Sequence, residues 1–340
     1  MNRRIASFIF FTLIATTCQA APTRNGMNIG VCYGLLGNDL PPAPQVVSLY
    51  KRCGIQKMRL YNPNHEALEA LRGSQIQVTL GVPNEEIPNL ANSQEAAQSW
   101  FTTNVEPYIQ DIEFSCITVG NEAFPGQFGP SIGPAMHNLK NVLNEHNLHG
   151  IQVTTVIYTA VLANSYPPSA AVFTAEAASS MPNILQFLSD NGAPIMLNVY
   201  PYFAYAGDPT NVRLDYALFS ATGPVVQDGA LSYSNIFDAM VDAFIWAMEK
   251  MGFPNVAVAI SESGWPSAGN GDFTTPDLAG TYNRNFMNHI IKSSGTPKRP
   301  NTHMDAHIYA MFNENQKPNG TEQHFGLFYP NMQPVYLIFP

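Results

Sequence analysis

From residue 28 onward the chain alternates short β-branched runs with longer helix-forming stretches, and it does so eight times. The strand-like runs are NIGVCYG, KMRLYN, IQVTLGV, CITVGNE, IQVTTVIYTA, APIMLNVYP, VAVAISESG and HMDAHIYAMFNE. Between them lie stretches such as APQVVSLYKRC, HEALEALRG, SQEAAQSWFTTNVEPYI, GPAMHNLKNVLNEHN, SNIFDAMVDAFIWAMEKMG and LAGTYNRNFMNHIIKSS. Strands joined through helical crossovers must run parallel, and eight such units close into a (β/α)8 barrel. A chain of 340 residues, 45% hydrophobic and 12% charged, can bury that core as one unit. An open doubly wound sheet is the competing architecture. It would bring a Gly-rich phosphate turn after its first strand, and GVCYGLLGNDLP has neither the G-x-G-x-x-G spacing nor an acidic residue placed for a ribose. The expected fold class is therefore α/β, a single (β/α)8 TIM barrel. Residues 203–233 break the alternation: VRLDYALF and PVVQDGALSY read as an extra hairpin turning at Asp228 and Gly229, a small elaboration after strand six.

The first twenty residues read as a signal peptide. Arg3 and Arg4 precede the apolar run IASFIFFTLIA, and the small residues Cys18 and Ala20 offer cleavage near Ala20. The apolar run is too short to span a bilayer, and later apolar runs are interrupted by Pro, Asn or charge. The remaining residues, 21–340, are expected to form the barrel domain of a secreted protein without a membrane anchor. A net charge of -9 argues against nucleic acid or an anionic membrane as partner, because phosphate binding needs clustered Lys and Arg. A neutral ligand is easier to reconcile with it. Once Cys18 leaves with the signal, Cys32, Cys53 and Cys116 remain, an odd number that makes no disulfide framework, and all three read as structural. One glycosylation sequon is present at Asn319.

In a barrel of this kind the site is assembled where the strands end, so the residue closing each run carries the information. Glu122 closes the fourth run, directly after Asn121, and Glu262 closes the seventh. Strands disfavour Glu and barrel interiors are apolar, so local structure gives neither carboxylate a reason to be there. Each could instead be the partner of a buried cation. With 16 Lys and Arg in the whole chain such partners are scarce, and Arg59 in MRLY is the foremost candidate. Two glutamates projecting into one funnel suit glycoside hydrolysis, in which one protonates the leaving oxygen and the other attacks the sugar or activates water. Mutual repulsion helps one of the two stay protonated while the other is ionised.

Many short blocks now carry a resemblance. VCYGLLGNDLP, MRLYNPN, ITVGNE, VLANSYPPSA, LNVYPYFAY, YALF, VVQDG, SESGWPS, GTPKRP, MFNENQKP and HFGLFYPNMQPVY, in that order across nearly the whole chain, resemble the plant endo-1,3-β-glucanases of glycoside hydrolase family 17. The resemblance implies a (β/α)8 barrel and a retaining double displacement on 1,3-β-glucan, with no metal and no other cofactor. It implies that Glu122 is the general acid/base and Glu262 the nucleophile, and that Asn121 hydrogen-bonds the sugar 2-hydroxyl. Glu314, Lys317 and Glu322 in NENQKPNGTEQ match a charged group that borders the catalytic pair, although Glu314 and Lys317 also read as an ordinary exposed i,i+3 pair.

Tyr33, Tyr200, Tyr202, Phe203, Trp265 and Phe312 fall where the barrel mouth should be, and their rings could face the C–H surfaces of sugars or pack the core. Tyr33 and Tyr200 match cleft residues of the family, while Trp265 reads equally as a wall of the nucleophile's pocket. His303 and His307 alternate on one strand without a third ligand, so a metal is not expected. Asp39, the loop SAGNGDFTTPDLAGTYN and Met332 depart from the family pattern around the cleft rim. The chain ends at VYLIFP, without the C-terminal extension of vacuolar relatives, and an extracellular, monomeric enzyme is expected. Hydrolysis of mixed-linkage 1,3;1,4-β-glucan, or glucan binding without turnover, are the competing readings.

Overall fold

A computed structural model describes residues 29–292 and 295–339. The expected signal peptide at residues 1–20 lies outside them. Eight parallel strands form a closed barrel: β1 (Gly30–Cys32), β2 (Lys57–Leu60), β3 (Gln77–Val82), β4 (Glu113–Asn121), β5 (Gln152–Ile157), β6 (Ile195–Asn198), β7 (Val258–Ser263) and β8 (Ala306–Ile308). Seven of them lie inside runs read from the sequence, and β4 begins three residues before its run, which starts at Cys116. Neighbours in the chain are neighbours in the barrel, and β1 closes the ring on β8 through Gly30 and His307. Gly30 is required at this seam, because a Cβ there would lie 2.3 Å from the His307 ring. Cys116, Val156, Met196 and Ala259 pack together as a small apolar cluster apart from the main core.

Helices wrap the barrel and bury their inner faces on it. The helix Ala43–Arg52 buries Val46, Val47, Leu49 and Tyr50, and the helix Ile236–Lys250 buries Phe237, Val241, Phe244 and Met248. These positions recur at the three- and four-residue spacing of one helical face. Side-chain oxygens of Asn64, Ser93, Thr174, Asn235 and Thr275 cap helix N-termini, each accepting a backbone N–H that the helix leaves unpaired.

The elaboration after β6 differs from expectation in two respects. The hairpin is confined to PVVQDGALSY, with Val226–Asp228 antiparallel to Leu231–Tyr233, and its tight turn falls on Gly229 and Ala230, one residue later than expected. Gly229 supplies the positive φ of +59° that this turn needs. VRLDYALF is not its partner strand, since Leu214–Ala217 is a short helix. Leu214, Ala217 and Leu218 are spaced for one helical face rather than for alternation. A second ribbon, Leu162–Asn164 with Val172–Phe173, follows β5 and was not foreseen.

Candidate active site

The carboxyl ends of the strands open into a cleft of about 1510 Å³ whose walls include Tyr33, Asn121, Glu122, Tyr200, Phe203, Glu262, Glu314, Lys317 and Glu322. Glu262 sits in β7, every residue of which is buried. Its carboxylate gathers donors from three places. Arg59 Nη1 donates to Oε1 at 2.5 Å, Tyr61 OH donates to the same oxygen at 2.8 Å, and Tyr200 OH donates to Oε2 at 2.6 Å. Burial pushes both phenols well above their ordinary range, so they remain donors. The guanidinium lies over the Tyr61 ring, 4.2 Å from its centroid. Three donors, one of them a permanent cation, converge on an oxygen pair that can only accept, which suits a carboxylate anion.

Glu122 is held differently. The β4–β5 pairing shifts register between Thr118 and Asn121, and two residues there are left-handed, Gly120 at φ +80° and Glu122 at φ +50°. A non-glycine residue in that region persists only where its surroundings impose it. Asn198 Nδ2 donates to Glu122 Oε1 at 2.7 Å and also lies 3.2 Å from Asn121 Oδ1. Burial raises the Glu122 pKa, the neighbouring Glu262 charge raises it further, and the Asn198 bond only partly offsets them. Asn121 Oδ1 accepts from Arg59 Nη2 at 2.9 Å, so one guanidinium ties the two glutamate-bearing strands together.

The loop after β8 supplies the charged group. Glu314 is buried, its Oε1 accepts from Leu36 N at 2.7 Å, and burial raises its pKa despite that bond. Gly34 leaves room for it, because a Cβ there would lie 2.2 Å from Glu314 Oε2. This is no exposed i,i+3 pair: Lys317 lies 5.4 Å from the Tyr309 ring centroid and bonds Glu314 only through its backbone, N to O at 3.3 Å. Glu322 stands on the rim in the short turn Thr321–Gln323, and its charge adds a little to the rise at Glu122.

The aromatic residues divide. Phe203 is 47% exposed in the cleft, edge-on to Tyr200 with centroids 5.5 Å apart. Trp265, Phe312 and Tyr202 are buried and stand behind the wall. Trp265 Nε1 donates to Phe273 O at 3.0 Å and its ring meets Tyr202 at 5.3 Å, while Phe312 backs Tyr33 at 6.4 Å. His307 is buried, which pushes its pKa down to about 3, and His303 Nε2 meets Asp305 at 3.4 Å. Cys32, Cys53 and Cys116 are free, and burial pushes the Cys32 and Cys116 thiols up to about 12, far from reactive thiolates. Tyr61, Asn84 and Asn198 were not singled out from the sequence. Tyr61 and Asn198 stand at the ends of β2 and β6, the positions where the strand-end rule would have found them.

The sequence pattern of glycosyl hydrolases family 17 matches residues 29–339. The chain belongs to that family. A probable glucan endo-1,3-β-glucosidase, BG4 of Arabidopsis thaliana, is 52% identical over 314 residues, covering 92% of this chain and 91% of that one. Lichenase-2 of Hordeum vulgare is 48% identical over 311 residues, covering 92% and 98%. Among solved structures, one from a study of two plant β-glucan endohydrolases with distinct substrate specificities superposes with a TM-score of 0.88 at 48% identity, covering 92% of this chain and 100% of that one. This family 17 glycoside hydrolase thus shares both its fold and nearly its full described length with them.

Proposed function

We propose that the protein is a secreted, monomeric endo-hydrolase of 1,3-β-glucan that works by a retaining double displacement, with Glu122 as acid/base and Glu262 as nucleophile. The contrast between the two carboxylates carries this reading. Three side-chain donors meet Glu262, whereas among the described residues one meets Glu122, whose pKa burial and the Glu262 charge raise. In the first step Glu122 gives its proton to the glycosidic oxygen as that bond breaks, and Glu262 forms a bond to the anomeric carbon. In the second, Glu122 takes a proton from water, which attacks the same carbon and releases Glu262. Asn121 uses its Oδ1 on Arg59 and Asn198, and its Nδ2 donors are assigned to the sugar 2-hydroxyl. Glu314, Lys317 and Glu322 support the pair, and Tyr33, Tyr200 and Phe203 face the sugar rings, with Trp265 and Phe312 fixing that wall from behind. A place in wall remodelling or defence against fungal glucan fits a secreted enzyme of this kind. A 43% identical relative from Nicotiana tabacum is named a basic vacuolar isoform.

The relative named lichenase-2 favours a second reading, hydrolysis of mixed-linkage 1,3;1,4-β-glucan by the same pair. Chromatography of products from linear 1,3-β-glucan and from mixed-linkage glucan separates the two. Rapid release of a ladder of 1,3-linked oligosaccharides is expected. Turnover of the mixed-linkage polymer alone would sink the 1,3-specific assignment.

A further inference from the structure

We infer that Asn84 is a positioning residue for Glu122, acting through the peptide that joins Asn121 to Glu122; the inference rests on the acid/base reading of Glu122. The β3–β4 ladder ends at Val82 and Val119, because the next residue of β3's chain, Pro83, has no N–H and Asn84 already begins the turn Asn84–Glu86. The backbone of Asn121 would be left without a partner on that side. Asn84 takes over with its side chain: Asn121 N donates to Asn84 Oδ1 at 2.9 Å, and Asn84 Nδ2 donates to Asn121 O at 3.0 Å. One side-chain amide thus replaces the missing strand. On the opposite side Glu122 N donates to Val156 O at 3.1 Å. The Asn121–Glu122 peptide is therefore gripped at its oxygen by Asn84 and at its N–H by β5.

Both neighbouring features need this grip. Glu122 is held at φ +50°, a conformation its own chemistry does not favour. Gly120 admits the amide at close range: a Cβ there would lie 3.0 Å from Asn84 Oδ1 and 2.7 Å from Ile87 Cδ1. Asn84 lines the cleft, yet both ends of its amide are engaged with main chain, which marks it as a holder of Asn121 rather than a sugar contact.

The test compares two substrates that differ in their need for a proton. Wild type, Asn84→Ala, Asn84→Asp and Glu122→Gln are assayed on a 1,3-linked gluco-oligosaccharide and on the 2,4-dinitrophenyl β-glycoside of the corresponding disaccharide, whose leaving group departs without protonation. Asn84→Ala is expected to lower kcat/KM on the oligosaccharide by about 100-fold, the effect of an ångström-scale misplacement, and on the dinitrophenyl glycoside by less than about threefold. Azide, which attacks the glycosyl-enzyme without a base, should raise kcat on the latter and yield the β-glycosyl azide. Asn84→Asp keeps the acceptor for Asn121 N and sets an oxygen against Asn121 O, so it should show the same split if the alanine variant does not fold. Equal losses on both substrates, a change in KM alone, or no loss would overturn the inference while Glu122→Gln still shows the split. Absence of the split in Glu122→Gln overturns the acid/base reading, and this inference with it.

Discussion

Arg59 Nη1 and Glu262 Oε1 stand 2.5 Å apart with side chains only 1% and 7% exposed, so the barrel interior encloses an ion pair at the floor of the cleft. Removing one partner of such a pair strands the other charge in a poor solvent. Arg59→Met is expected to cost ~3–5 kcal/mol in urea unfolding. Arg59→Lys keeps the charge but cannot reach Glu262 and Asn121 together, and should lower kcat by about 100-fold, the scale set by losing one fixed electrostatic donor. A lysine variant within twofold of wild type would show that the bidentate geometry is irrelevant.

The pH profile reports on Glu122. Its pKa is raised by burial first and by the Glu262 charge second, so the basic limb of kcat/KM should lie above the ordinary glutamate range. Asn198 donates to the carboxylate and favours its charged form. Deleting that donor in Asn198→Ala raises the pKa further, and the basic limb moves to higher pH. Movement to lower pH would mean that another group sets the limb.

Away from the site, Asp242 is fully buried on the helix Ile236–Lys250, where its Oδ2 accepts from Lys298 N at 2.9 Å. Burial outweighs its hydrogen bonds and raises its pKa to about 6. An unfolded Asp titrates near ~3.9, so between these values the folded state holds the extra proton and stability falls as pH rises. The contribution is fully present below about pH 4 and lost above about pH 6, at most ~3 kcal/mol. Asp242→Asn should match wild type at pH 4 and exceed it at pH 7. Parallel stability curves across that window would contradict the assignment.

Two aromatic substitutions separate wall from surface. Trp265→Phe leaves the Phe273 carbonyl without its donor and should cost ~1–3 kcal/mol with KM unchanged. Phe203→Ala, at an exposed ring in the cleft, should raise KM by roughly 2- to 10-fold while stability moves by less than ~0.5 kcal/mol. A reversal of these two patterns, read from kinetics beside thermal melts, would invert the division.

The glutamates were legible because a barrel concentrates chemistry at strand ends and because Glu has no local reason to close a strand. Arg59 was legible through scarcity of cations. Trp265 and Phe312 show the limit of that reading: an aromatic near a strand end looks the same in sequence whether its ring faces the cleft or lies behind it, since burial is settled by distant neighbours such as Phe273 and Tyr33. VRLDYALF reads as a strand because its helical spacing is only one turn long. Asn84 was illegible for a deeper reason. Its role exists only where Pro83 ends the β3 ladder at Val82 while β4 runs on to Asn121, a coincidence of two strands that neither segment announces.

If Glu122 and Glu262 act together on 1,3-β-glucan, reducing-end release from the linear polymer depends on both. The protein is assayed beside Glu122→Gln and Glu262→Gln, each shown to be folded by circular dichroism. Turnover by the wild type is expected, with losses of at least about 100-fold in both variants. A wild type that binds the glucan without cutting it, or a Glu262→Gln variant that keeps its rate, would contradict it.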